Sequence, residues 1–114
     1  MLSRELTAAT AKPAILAILA RGESYGYDIL RQVKELTAGQ VDWAEGAVYP
    51  VLHRLEDQGF IASQWRKAPE TGRRRKYYCL TAAGRKEMST EKDQWSLASA
   101  LMEKLWGEPE PCLT

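Results

Sequence analysis

The sequence predicts a mainly α-helical chain that carries one small β-hairpin, and three observations lead there. Several segments space their apolar residues three and four positions apart, the helical period. Two β-type runs, "FIASQWRK" and "RKYYCL", flank "APETG", where Pro69 and Gly72 supply turn chemistry. A last helical segment then runs from Ala82 to Trp106 before Gly107 and Pro109 stop it.

The first helix is expected from about Ser3 to Arg21, with Leu6, Ala9, Pro13, Leu16, Ile18 and Leu19 at mainly helical spacing and Gly22 ending it. Pro13 inside this run means that the helix either starts near Lys12 or bends there. The second begins in "ESYGYDILRQVKELTAG". Ser24 is its expected N-cap, Asp28 suits the positive helix end, and Ile29, Leu30, Val33 and Leu36 form the apolar stripe up to Gly39. Val41 and Trp43 read as a short extended piece. A third helix spans about Glu45 to Gln58, with Val48, Leu52 and Leu55 inward and Gly59 as its cap. Pro50 lies in the early turns, where a missing N–H costs little. The hairpin follows, and Thr81 caps the long last helix. Three helices, a basic hairpin and a further helix is the order of a winged helix-turn-helix with an appended helix.

The 114 residues suit one domain, and 45% hydrophobic residues suffice for a small core. The net charge is only +1, yet residues 65–76 hold six cations (Arg66, Lys67, Arg73, Arg74, Arg75, Lys76) against Glu70 alone. A local basic patch on a balanced chain is an electrostatic footprint for a polyanion; the plainer reading is a solvated turn. Cys79 and Cys112 lack metal-ligand spacing, and the single His53 completes no zinc site with them. There is no catalytic triad and no phosphate-cradling glycine loop, so neither an enzyme nor a cofactor is expected. The apolar run "PAILAILA" is too short to span a bilayer and has no cleavage pattern after it, which suggests a soluble, cytoplasmic chain.

With Val48, Leu52 and Leu55 inward, the third helix presents Ala47, Tyr49 or Pro50, His53, Arg54 and Asp57 outward. Tyr49 suits a phosphate or a base edge. His53 and Arg54 suit guanine or phosphate, or they merely solvate the surface. In the hairpin, Arg73, Arg74, Arg75 and Lys76 suit phosphates or the minor groove, and strand alternation lets half of them face a duplex at once, with Glu70 free to pair with one. Ser24 and Tyr25 open the second helix as a phosphate site or as a cap plus a buried tyrosine. On the last helix Met88, Trp95, Ala98, Leu101, Met102 and Leu105 form a stripe that Leu97 widens. One small domain offers no full cover for it, so a twofold partner is expected.

"YGYDILRQV", "EGAVYPVLHRLEDQGFI", "GRRRKYYCLTAAGR" and the long last helix, in this order, resemble the PadR family of bacterial transcriptional regulators. The resemblance covers about four-fifths of the chain. It implies a homodimeric winged-helix repressor: residues 1–81 as the DNA-binding domain, 82–107 as the C-terminal dimerisation helix and 108–114 as a flexible tail. It implies DNA contacts from Tyr25, Tyr49, His53, Arg54 and Arg73 to Lys76, on a pseudo-palindromic operator. Leu6 joins the last-helix stripe in the implied dimer interface. Some short members bind planar aromatic molecules between their subunits, and Trp95 sits where their stacking tryptophan is expected, with Ser99, Lys12 and Leu16 beside it. Three positions depart from the pattern: Ala47 replaces a frequent threonine, Arg74 a small residue or proline, and neutral Ser99 offers no acid to a cationic effector. The alternative is a winged-helix protein–protein interaction module without DNA.

Overall fold

The computed structural model describes residues 2–112; the tail expected over 108–114 extends past them at 113 and 114. The elements are α1 (Arg4–Ala20), β1 (Ser24–Tyr25), α2 (Gly26–Leu36), α3 (Glu45–Asp57), β2 (Ile61–Lys67), β3 (Arg74–Leu80) and α4 (Ala82–Leu105). The Ser3 side chain caps α1, accepting from the Leu6 N–H. This helix starts at Arg4 and continues through Pro13, so it does not begin near Lys12.

The start of α2 corrects the expectation for Ser24. It is not an N-cap but lies in a two-residue strand, and Tyr25 holds the cap position without a side-chain bond. Ser24 is buried, and its hydroxyl donates to Asp28 Oδ2 at 2.7 Å, so a local polar pair replaces the cap. β1 makes the hairpin a three-stranded antiparallel sheet in the order β1-β3-β2, with Ser24 opposite Tyr78 and Tyr25 opposite Tyr77. Val41 and Trp43 lie in irregular chain rather than a strand. Trp43 nevertheless joins the core.

That core packs Ile15, Leu16, Ile18 and Leu19 of α1 against Ile29 and Val33 of α2, Val48, Leu52 and Leu55 of α3, and Ile61 and Tyr78 of the sheet. The hand-over from sheet to α4 is the most closely fitted joint. Thr81 caps α4 by accepting from the Gly84 N–H at 3.0 Å, donates its hydroxyl proton to the Gly59 carbonyl at 2.6 Å, and its N–H reaches the Phe60 carbonyl at 3.1 Å. Lys12 then ties α1 to α4, 3.5 Å from Glu87 and 3.3 Å from Glu91, with its ammonium 5.3 Å from the Phe60 ring centroid. α4 continues beyond these contacts, and the molecule measures 66 Å along its longest axis.

Candidate nucleic-acid interface

Burial of Val48, Leu52 and Leu55 fixes the rotation of α3. Ala47, Tyr49, Pro50, His53, Arg54 and Asp57 are consequently exposed, as the helical period requires. Tyr49 leans across Gly26 at the start of α2. A Cβ on Gly26 would lie 2.6 Å from the Tyr49 hydroxyl oxygen and 2.8 Å from two ring carbons. The missing Cβ of the glycine is therefore the space in which the α3 tyrosine rests.

Strand register sorts the wing into two faces. Trp65 opposes Lys76, Arg66 opposes Arg75, and Lys67 opposes Arg74. Cross-strand partners share a face, so Trp65, Lys67, Arg74 and Lys76 continue the side that begins with buried Ile61 and Tyr78. Arg66, Arg75 and Tyr77 occupy the other side with Tyr25. Gly72, at φ +70°, makes the turn, closed by Ala68 N–H to Arg73 carbonyl and Gly72 N–H to Ala68 carbonyl bonds of 2.8 Å each.

On the first side, Lys76 Nζ stands 3.5 Å from Glu56 of α3, and Glu56 also accepts from the Ser63 hydroxyl. That hydrogen bond, outweighing burial and joined by the charge of Lys76, holds the Glu56 carboxyl below its usual range. α3 and the wing are thus clamped to one another through a single carboxylate. On the second side, the Arg75 guanidinium lies 3.9 Å over the Tyr25 ring, 3.2 Å from Glu70 and 3.4 Å from the Tyr77 hydroxyl. Arg66 stacks 4.1 Å over Tyr77. These contacts hold two of the cations flat against tyrosine faces. Among the described residues, Arg73 and Arg74 have no ion-pair partner.

Between α3 and the wing lies an open cleft of about 470 Å³. It brings together Tyr25, Tyr49, His53, Arg74, Arg75 and Lys76 of the residues expected from the sequence. It does not include Arg73, which stands at the turn, or Arg54. Arg54 lines a separate groove of about 360 Å³ with Arg4, Trp43 and Val51. Tyr27 and Trp65 also line the cleft, beyond the residues expected from the sequence. Alternation outward from Ile61 places Trp65 on the same face of β2, and the observed register sets it opposite Lys76.

The residues expected around an effector are dispersed. Trp95 lines an almost wholly apolar groove of about 350 Å³ with Thr10, Pro13, Ala14, Ala17 and Met88, edged by Glu91 and Lys92. Leu16 is fully buried in the core cluster, and Lys12 is held by the two glutamates of α4, so neither lines that groove. Ser99 is exposed one turn beyond it. Of the expected dimer surface, Leu6, Ala98, Leu101 and Leu105 are exposed, and Met88 and Met102 half-buried. No group of three or more His, Cys, Asp or Glu gathers as a metal site among the described residues, and no helix there is long and apolar enough to cross a membrane.

A model of the transcriptional regulator PadR-like family matches residues 15–90. The negative transcriptional regulator PadR of Bacillus subtilis (strain 168) is 36% identical over 77 residues, which cover 68% of this chain and 42% of that protein. The transcriptional regulator YqjI of Escherichia coli (strain K12) is 31% identical over 80 residues, covering 70% of this chain and 36% of YqjI. The chain thus spans about two fifths of the length of these two relatives. Among solved structures, a transcriptional regulator from Clostridium thermocellum matches with a TM-score of 0.83 at 29% identity, over 94% of this chain and 100% of that one. A PadR family transcription regulator from Clostridium difficile R20291 matches with a TM-score of 0.75 at 32% identity, over 85% and 98%.

Proposed function

The chain belongs to the PadR-like family of transcriptional regulators, which are not enzymes, and from that premise we propose that it is a homodimeric repressor that clasps operator DNA between recognition helix and wing. The observation that carries this reading is the cleft in which Tyr49 and His53 of α3 meet Arg74 and Lys76 of the wing. Helix side chains there suit base edges and phosphates of a major groove, and the wing cations suit the neighbouring backbone. A second copy, joined along α4, would present two such clefts to half-sites about 10 bp apart. In this reading the unit that ends at residue 81 does the reading and 82–107 sets the spacing.

Release follows if an effector prefers the dimer spacing that does not fit DNA, since only a difference in affinity between two states shifts their populations. The apolar groove beside Trp95 supports a planar aromatic effector. Titration of tryptophan emission with a panel of planar aromatic compounds tests this, with Trp95→Ala as the control. Saturable quenching that disappears in a still-dimeric Trp95→Ala establishes the effector site; its absence removes the effector from the reading and leaves the DNA role standing. The DNA role itself is tested by affinity against salt for a duplex that the purified chain selects from a random pool. A log–log slope of roughly −0.9 per phosphate neutralised is expected. A chain that selects no duplex and shows no such slope is a winged-helix protein-interaction module instead.

A further inference from the structure

Trp65 has no structural task that accounts for its exposure. It stands on the core-facing side of the sheet, yet 55% of its surface is open to solvent, at the mouth of the cleft between α3 and the wing. The Arg74 guanidinium lies 5.5 Å from its ring centroid, and Lys76 is its cross-strand partner. An indole left in water beside a cation that has no carboxylate partner gains most when a partner supplies negative charge and apolar surface together. A DNA backbone does so: phosphates alternate with deoxyribose rings, and thymine methyl groups line the major groove beside them.

Resting on the DNA-binding role above, we propose that Trp65 is a DNA-contact residue that packs its indole against a deoxyribose or base edge beside a phosphate held by Arg74. Its contribution is the part of the affinity that does not depend on counterion release. Ionic contacts lose strength as salt rises, because each releases condensed counterions; apolar packing releases none. The Arg74 guanidinium lies over the Trp65 ring, yet the two act through separable terms.

The test is affinity for a fluorescein-labelled duplex selected by the full chain, measured across a salt series for wild type, Trp65→Ala, Trp65→Phe and Arg74→Ala. Trp65→Ala is expected to weaken binding about tenfold at every salt concentration, with an unchanged slope, as for loss of an aromatic anchor. Arg74→Ala is expected to flatten the slope by about 0.9. Trp65→Phe keeps most of the affinity. A second readout needs only the folded wild type and Trp65→Phe: duplex-induced quenching of tryptophan emission in the first and its loss in the second. A Trp65→Ala line that superposes on wild type overturns the inference, and so does one that flattens like Arg74→Ala, because the ring would then serve only to hold the arginine. Wild type that binds no duplex sinks the DNA role and this inference together.

Discussion

Gly26 and Tyr49 share one volume: the space that a Cβ would fill on the first residue of α2 is occupied by the end of the tyrosine on α3. Gly26→Ala is therefore expected to displace Tyr49 from the cleft. The displaced atoms are the free end of a side chain that is 38% exposed, so the fold yields easily. Alanine also favours a helix over glycine by about 1 kcal/mol, which offsets part of the lost packing. The expected outcome is a melting temperature within about 4 °C of wild type and DNA affinity reduced about fivefold or more, as for a lost side-chain contact. A crystal structure of the variant with Tyr49 unmoved would refute the link.

Gly84 is the opposite case. A Cβ there would lie 1.9 Å from the Phe60 carbonyl oxygen, a backbone atom fixed by its bond from the Thr81 N–H. Gly84→Ala must push α4 away from the sheet or break that joint. The expected cost is about 3 kcal/mol, well beyond the gain in helix propensity, read as a fall in melting temperature of about 10 °C or more.

These two glycines also mark what the sequence discloses. Thr81 and the helix after it are legible because a cap and its helix are local. The inward set of α3 is legible for the same reason, since Val48, Leu52 and Leu55 repeat at the helical period. β1 is not legible: two residues carry no alternation, and they are a strand only because Tyr77 and Tyr78 lie beside them. Ser24 carries the local signal of a cap but sits in the strand, because the preference for serine before a helix does not include that pairing. The cleft divides likewise. The cations announce themselves by type, whereas the space reserved at Gly26 and the place of Trp65 depend on how α2, α3 and the wing meet.

The clamp between α3 and the wing should appear in the acid limb of stability. Glu56 is held below the ordinary 4.5 by the Ser63 hydroxyl first and Lys76 after it. A carboxylate lowered in the folded state stabilises the protein above its unfolded pKa, and that stability is lost as pH falls through the lower folded value. Glu56→Gln is expected to lose about 1 kcal/mol at neutral pH, little at pH values below the folded pKa, so its urea-unfolding profile converges on wild type in acid. Parallel profiles would count against the clamp.

The four wing cations should contribute unequally. Among the described residues, Arg73 at the turn and Arg74 at the start of β3 have no carboxylate partner, whereas Arg75 lies over Tyr25 and is paired with Glu70. Arg73→Ala and Arg74→Ala are each expected to flatten the log affinity–log salt line by about 0.9. Arg75→Ala is expected to change the slope less, because it also removes the tie on Glu70, and to lower stability through the loss of the Tyr25 stack. Four equal slope changes in filter-binding measurements would mean that the wing rearranges fully on DNA.

The far half of α4 sets the last expectation. Leu97, Leu101, Leu105 and Trp106 are 75%, 52%, 68% and 71% exposed, on a helix that runs past the body of the molecule. Full burial of such side chains is worth about 1.5–3 kcal/mol each, and a single chain leaves that unrealised. The same helix carries its polar charges in balance, so the apolar residues rather than net repulsion decide whether copies meet. Leu101→Glu with Leu105→Glu is expected to leave the helical circular-dichroism signal intact while sedimentation shifts from dimer to monomer. DNA affinity should then fall to that of a single cleft, with the loss of cooperativity between half-sites. A doubly substituted chain that still sediments as a dimer would place the interface elsewhere, and the spacing argued for two half-sites would go with it.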